Sequence, residues 1–270
     1  MKKNNLILLL LTVIISIIAS CDLLQQQNLS EEEVIEGLKT ALEIGSDSAC
    51  TSLNKNNGYY GNQLVKILLP PQAQEIINLV NNPTIVSLGI DIVLNQKIED
   101  VVLSINRAAE NAAKDAKPIF VDAIRNMTVT DGLIILQGND KYAQIVSNTT
   151  TNFDSLAATN FMIYTTKQQL YNLYEPKINE QLSKDLGLGF SANDAWSTLL
   201  YYYNNYLATI ISNLKPIDQV NLSQYCTNKG LDGLFIFVGK QEKQIRKDPY
   251  KWSQDIIQKV FGSVYQEPKK

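Results

Sequence analysis

A chain of 270 residues, 45% hydrophobic and 19% charged, is long enough to bury a large core and too apolar to be a disordered segment. It contains no histidine, which removes the usual general base, the Ser-His-Asp and Cys-His arrangements and the commonest zinc ligand. Its 24 basic residues stand against 27 acidic ones, with no Lys/Arg run interleaved with aromatics, so nucleic acid is excluded as a partner.

At the start of the chain, Lys2 and Lys3 precede an apolar run, Leu6–Ile18, interrupted only by Thr12 and Ser16. The run is too short to span a bilayer comfortably and has signal-peptide anatomy. Ile18-Ala19-Ser20-Cys21 resembles a bacterial lipobox, in which the cysteine becomes the lipidated first residue. The expectation is a lipoprotein signal peptide at 1–20, a lipidated tether at 21–28, a helical domain at 29–262 and a polar tail at 263–270. Removing Lys2 and Lys3 leaves 22 of the 24 basic residues against the 27 acids, a net charge near −5. Acyl chains on Cys21 would anchor the protein in the inner or outer membrane of a bacterial envelope, facing the periplasm, with the membrane as its first partner.

Leu29-Ser30-Glu31-Glu32-Glu33-Val34 predicts a helix start, with Ser30 as cap, Glu33 closing a capping box and Leu29 able to staple onto Val34. Val34, Leu38, Leu42, Ala49 and Leu53 continue as one amphipathic face. Asn54–Gly61 is a turn-rich loop, and Leu64–Leu69 is a short apolar stretch, extended or irregular, that stops at Pro70-Pro71. Gln72–Val80 and Ile85–Leu94 read as helices broken near Pro83 and Gly89.

Asn95–Gly138 predicts a long helix, a turn at Pro118, a short helix to Met127 and a third helix closed by Gly138. Ile98, Val101, Val102, Ile105, Ala109 and Ala112 form its apolar stripe, and at ~100° per residue Glu99, Asn106 and Glu110 fall on the stripe's edge. Leu103 lies beyond them, so apolar residues flank a polar line, as expected of a central helix. Thr128 and Asp131 repeat the capping pattern before Leu133–Leu136, and Asn139–Ser155 reads as polar and irregular. Phe161, Leu170, Leu173, Tyr174, Ile178 and Leu182 predict a long helix bent at Pro176.

Ser191 with Asp194 opens a helix whose face runs Trp196, Leu199, Leu200, Tyr203, Leu207, Ile210, Ile211 and Leu214. Tyr201, Tyr202, Tyr203 and Tyr206 wrap around it, as a sugar or partner surface or as core with wet hydroxyls. Leu231, Leu234, Phe235, Val238 and Ile245 mark a further helix ended by Asp248-Pro249. Those two residues then cap and start a last one through Trp252, Ile256, Val260 and Phe261 to Gly262. The fold class is all-α, a single multi-helix domain of about nine or ten helices.

Several segments together resemble one bacterial family, domain of unknown function 4197, made largely of exported lipoproteins. They are GYYGNQLVKILL at 58–69, NRAAE at 106–110, AKPIFVDAIRNM at 116–127, NLSQYCTNKGLDGLFIFV at 221–238, KQIRKDP at 243–249, and QKVFG at 258–262. Residues from about Gln144 to Ala157 and from Pro83 to Leu94 look expanded relative to that pattern. The resemblance implies a helical lipoprotein and supplies no reaction.

The polar residues in these segments are Asn106, Arg107, Glu110, Lys117, Asp122, Arg125, Lys229, Asp232, Arg246 and Asp248. One reading makes them a polar groove in which Arg107 or Arg125 holds an anionic group. The other makes them packing devices, with Asn106 and Glu110 satisfying a neighbouring helix end and Asp232 pairing with an arginine. The function expected is a periplasmic helical binding or interaction module for an envelope partner or an amphiphilic ligand. Two alternatives stand beside it: a cell-wall glycan-cleaving enzyme with Glu110 as its acid and Asp122 as partner, and a purely structural envelope protein. No HExxH, GxSxG or Walker loop is present, and no metal or cofactor is expected. Cys50 and Cys226 are left either to pair across a very long loop or to stay as two buried thiols.

Overall fold

The computed structural model describes residues 29–265; the expected signal peptide, the expected lipidation at Cys21, the expected tether and residues 266–270 lie outside the described residues. Ser30 starts the first helix, α1 (Glu31–Leu53), through a complete capping box: its hydroxyl accepts from the Glu33 N–H while the Glu33 carboxylate accepts from the Ser30 N–H. A non-repetitive connection leads to a 3₁₀ turn at Pro71–Ala73, then to α2 (Gln74–Leu79) and α3 (Pro83–Ser87), the latter capped by Asn82. Gly89 has φ +66, a conformation that an L side chain rarely adopts, and it turns the chain into α4 (Ile90–Asn126). The short α5 (Gly132–Leu136) and α6 (Lys141–Ser147) precede α7 (Ala157–Leu182). Then come α8 (Ala192–Tyr201), α9 (Leu222–Lys247), a 3₁₀ turn at Pro249–Lys251 and α10 (Asp255–Gly262). Among the described residues there is no strand, only an isolated bridge between Asp185 and Ser191.

Four long helices make the body. Each of α1, α4, α7 and α9 packs on two of the others, in the ring α1–α4–α7–α9. Adjacent members run antiparallel. Lys39 and Glu43 of α1 meet Arg125 of α4, whereas Asp47, further along α1, meets Lys117. Thr159 of α7 meets Glu242 of α9, and Glu175 meets Ser223. Gly45 of α1 lies against Val238 of α9, and Tyr59, just beyond α1, reaches Gly230. The result is an up-down-up-down four-helix bundle. Phe120 and Phe235 meet with ring planes tilted by 48° and centroids 5.6 Å apart, in the same core as Leu38, Leu42, Ile105 and Leu231, which are fully buried. α5, α6, α8 and α10 cover its flanks. At ~1.5 Å per residue α4 is about 55 Å long, so its first turns extend past the end of α1 and pack on α8 instead.

Several expectations are corrected. Pro118 opens no new helix; α4 begins at Ile90 and continues unbroken through Pro118 to Asn126. Pro118 and the residue whose carbonyl it leaves unpaired, Lys114, are both exposed, so the lost hydrogen bond falls on the solvent side. The same holds for Pro176 and Asn172 in α7, which is one helix to Leu182. Thr128 does not cap α5; Asp131 occupies that position without a side-chain cap bond. Residues 139–155 contain α6. The helix of Trp196 passes through a π segment at Tyr202–Leu207 and ends at Ile210, so Ile211 and Leu214 follow it. Asp248 and Pro249 start the 3₁₀ turn, and α10 begins later, after Gln254. Cys50 and Cys226 are both free and buried.

Candidate functional site

The connection from Asn54 to Pro70 is buried at Tyr59, Val65, Ile67 and Leu69, so its backbone polar groups need partners that no helix supplies. The polar line on α4 supplies them. Glu110 Oε1 accepts the N–H groups of Tyr59 and Tyr60 at 3.1 and 3.0 Å. Its Oε2 pairs with Arg107 Nη1 at 2.5 Å, and Arg107 Nη2 donates to Asn57 Oδ1 at 3.0 Å. One turn earlier, Asn106 Oδ1 accepts the Ile67 N–H at 2.9 Å while its Nδ2 donates to the Ile67 carbonyl at 2.7 Å and to the Val102 carbonyl at 2.6 Å. Glu99 accepts the Tyr60 hydroxyl, whose ring carries the Lys66 ammonium 4.0 Å from its centroid. Tyr59 completes the seat: its hydroxyl donates to the Gly230 carbonyl at 2.7 Å, and a Cβ on Gly233 would stand 2.6 Å from its ring.

Glu110 is 3% exposed. Burial pushes its carboxyl above the ordinary range, while the Arg107 guanidinium and the Tyr59 N–H pull the other way. Both oxygens are engaged by the chain itself. Asp122 is exposed and twelve residues further along α4, about 18 Å away at 1.5 Å per residue, so the two carboxyls do not face one another.

The remaining expected residues disperse. Lys117 pairs with Asp47 and Arg125 with Glu43, both on the outer surface between α4 and α1. Asp232 meets Lys167 at 3.7 Å and Lys229 at 3.9 Å; its partners are lysines rather than an arginine. Asp248 pairs with Lys251 at 3.2 Å. Arg246 belongs to a second buried set with Glu242, which is 1% exposed. Glu242 accepts the N–H groups of Ala158 and Thr159 and the Thr159 hydroxyl, closing the start of α7. Arg246 pairs with Glu242 and donates to the carbonyls of Leu136 and Ile135 at 2.7 and 2.9 Å, closing the end of α5. The helix of Val238 and Ile245 carries Glu242 on their buried stripe, and that spacing is the signal a reading of the sequence could have used. Among the described residues no group of three His, Cys, Asp or Glu side chains is placed to hold a metal.

The surface offers two features that the polar line does not. At the bundle end where α4 begins, Val86, Leu88, Ile92 and Val93 are exposed, Leu88 by 58% and Ile92 by 71%. On the flank, α6, α7 and α9 frame an open groove of about 350 Å³. Its apolar end is Ile145, Val146, Ile163 and Tyr164; its polar end is Lys167, Gln168, Tyr171 and Asn228. The tyrosines at the end of α8 and in the π segment after it divide between the two expectations: Tyr203 is core, whereas Tyr201 and Tyr206 are exposed and Tyr206 stacks on Tyr202 at 4.8 Å.

No curated protein and no solved structure matches the chain. A family model described as protein of unknown function (DUF4197) matches residues 28–262. With every helix from α1 to α10 inside that match, the chain belongs to the DUF4197 family.

Proposed function

We propose that this protein is an exported bacterial lipoprotein, held to the membrane by acyl chains on Cys21, that presents its far end to an envelope protein. The basic start, the Leu6–Ile18 run and the small residues before Cys21 support export and lipidation. The observation that carries the interaction is the exposed aliphatic tip of Val86, Leu88, Ile92 and Val93. From Ile67 to Gln96 the only charged residues are Glu75 and Asp91, the charge depletion expected at the centre of a protein interface. An anionic lipid surface would ask for cations there. The tip also lies at the opposite end of the bundle from Ser30, where the tether enters, and α4 sets roughly 50 Å between the two ends. It therefore points away from the membrane that would hold Cys21.

A photo-crosslinking amino acid placed at Ile92, in cells making the lipidated chain, tests this reading. A discrete adduct is expected from Ile92 and not from Lys240 on the outer side of α9. Adding Val93→Glu should abolish it, and exchanging residues 1–21 for a cleavable, non-lipidated export signal should release the chain from the membrane fraction. Identical adducts from both positions, or an adduct that survives Val93→Glu, would overturn the proposal.

A further inference from the structure

The flank groove is built from elements remote from the tip, and its two ends differ in chemistry. Ile145 and Val146 come from α6 and face Ile163 and Tyr164 of α7; Ile145 is 54% and Tyr164 55% exposed, a large solvent exposure for an isoleucine. One turn further along α7 the lining changes to Lys167 and Gln168, and then to Tyr171 opposite Asn228 of α9. Along α7 these positions span eight residues, about 12 Å, which is the length over which the groove passes from apolar to polar.

The polar end carries one cation in the lining itself, Lys167. Lys167 and Lys229 share one carboxylate, that of Asp232, at 3.7 and 3.9 Å, the outer edge of ion pairing. The Glu175 carboxylate acts on Tyr171 at the far edge of the lining, so the positive charge is local to Lys167 rather than a net charge of the groove. The Lys167 ammonium is half exposed and turned to the lining, so it can take a second anion without leaving Asp232 uncovered. The side-chain amides of Gln168 and Asn228 add hydrogen-bond donors at the same end.

We infer that this groove is a binding site for a single-chain fatty carboxylate, with its chain along Ile145, Val146, Ile163 and Tyr164 and its head at Lys167. The volume limits the ligand to one chain: about 350 Å³ for the whole open groove suits a single-chain amphiphile rather than a two-chain phospholipid. A groove of this size falls in the range of small-ligand sites, and its few polar groups converge at one end, as orientation of an amphiphile requires. Lys167 acts as a point charge suited to a carboxylate but without the bidentate fork that would select one. Affinity therefore divides between chain burial and a single screened ion pair.

The test uses the mature chain, residues 21–270 with Cys21→Ser so that neither the signal run nor an acyl chain is present, and sodium dodecanoate titrated calorimetrically below its micelle concentration. Dodecanol and dodecyltrimethylammonium report the chain and the charge separately. Saturable binding of one dodecanoate per chain is expected, at least tenfold tighter than dodecanol, with none for the cation. Lys167→Glu should weaken dodecanoate at least tenfold and admit the cation. Tyr164→Asp, an exposed substitution, should weaken dodecanoate and dodecanol alike; circular dichroism checks that both variants keep the helical fold. Dodecanol binding as tightly as dodecanoate, wild-type affinity in Lys167→Glu, or no saturation below the micelle concentration would each overturn the inference. Val93→Glu should leave dodecanoate binding unchanged, so failure here is separable from failure at the tip.

Discussion

Asn106 makes three hydrogen bonds from a side chain with no exposure, and two of them hold both backbone groups of Ile67. Asn106→Ala would leave that N–H and that carbonyl buried without partners, a loss of about 2–4 kcal/mol by the usual cost of unsatisfied groups. Urea unfolding followed by circular dichroism measures it. A change below about 0.5 kcal/mol would mean that the 57–67 connection is not held by α4, since an unimportant surface residue costs no more than that. Glu110→Gln should be milder, because an amide oxygen still accepts from Tyr59 and Tyr60 while only the Arg107 pairing is lost. The line of Glu99, Asn106 and Glu110 was legible in the sequence because helical geometry alone puts these residues on one edge of the α4 stripe. What they bind was not legible. A polar line bordering an apolar stripe looks the same whether it opens to a ligand or closes on the chain's own backbone, and only tertiary packing brings Tyr59 and Ile67 against it.

At the scale of elements, Glu242 and Arg246 join three helices that the chain order separates. They tie the end of α5 to the start of α7 through two successive turns of α9. Glu242→Ala removes the acceptor for the first N–H groups of α7 and strands a guanidinium that is nearly buried, so a loss of about 3–5 kcal/mol is expected. Adding Arg246→Ala should cost less than its own single substitution does, because the stranded charge goes with it. A double-mutant cycle in urea measures this, and strict additivity would show that the pair acts as two independent caps. Helix starts were the most legible elements. Ser30 with Glu33 and Ser191 with Asp194 form the capping boxes their spacing announces, because those bonds are local. Asp131 and Pro118 misled for one shared reason: a side chain that suits a helix end does not create one. The apolar stripe of α4 runs through Ala112, Ala116, Phe120 and Ile124, and its burial outweighs the single hydrogen bond lost at Pro118. α6 was missed because one short apolar face, Tyr142 with Ala143, carries little periodic signal against a polar background.

At the scale of the whole molecule, the all-α class followed from helical periodicity everywhere, but the ring order of the bundle depends on which stripe meets which, information spread over four separated helices. Electrostatics is likewise a property of the whole, and it makes an acid-stability prediction. Several surface carboxyls are held below their ordinary range: Glu33 by the Lys259 ammonium, Asp131 by Lys141, Asp194 by the Ser191 hydroxyl, and Asp185 by the N–H groups of Leu188, Gly189 and Gly187. A carboxyl whose value is lower folded than unfolded stabilises the fold above its unfolded value, and that contribution is lost as the pH falls through the folded one. Glu110 and Glu99 act in the opposite sense, because burial raises them and the folded molecule takes up their protons first. Stability should therefore hold or rise slightly between pH 7 and about 5, then fall below about pH 4, where the surface carboxyls protonate. Thermal melts from pH 7 to 3 check the curve. Glu110→Gln should remove the slight rise, and Asp185→Asn should make the acid fall shallower. Salt separates the causes: 0.5 M sodium chloride screens Glu33 and Asp131, which owe their shifts to lysines, and leaves Asp185, held by backbone N–H groups, nearly as it was. A melting temperature that climbs without a break to pH 3 would mean that the buried glutamates outweigh the surface carboxyls, and the assignment of acid lability to the exposed pairs and turns would fail.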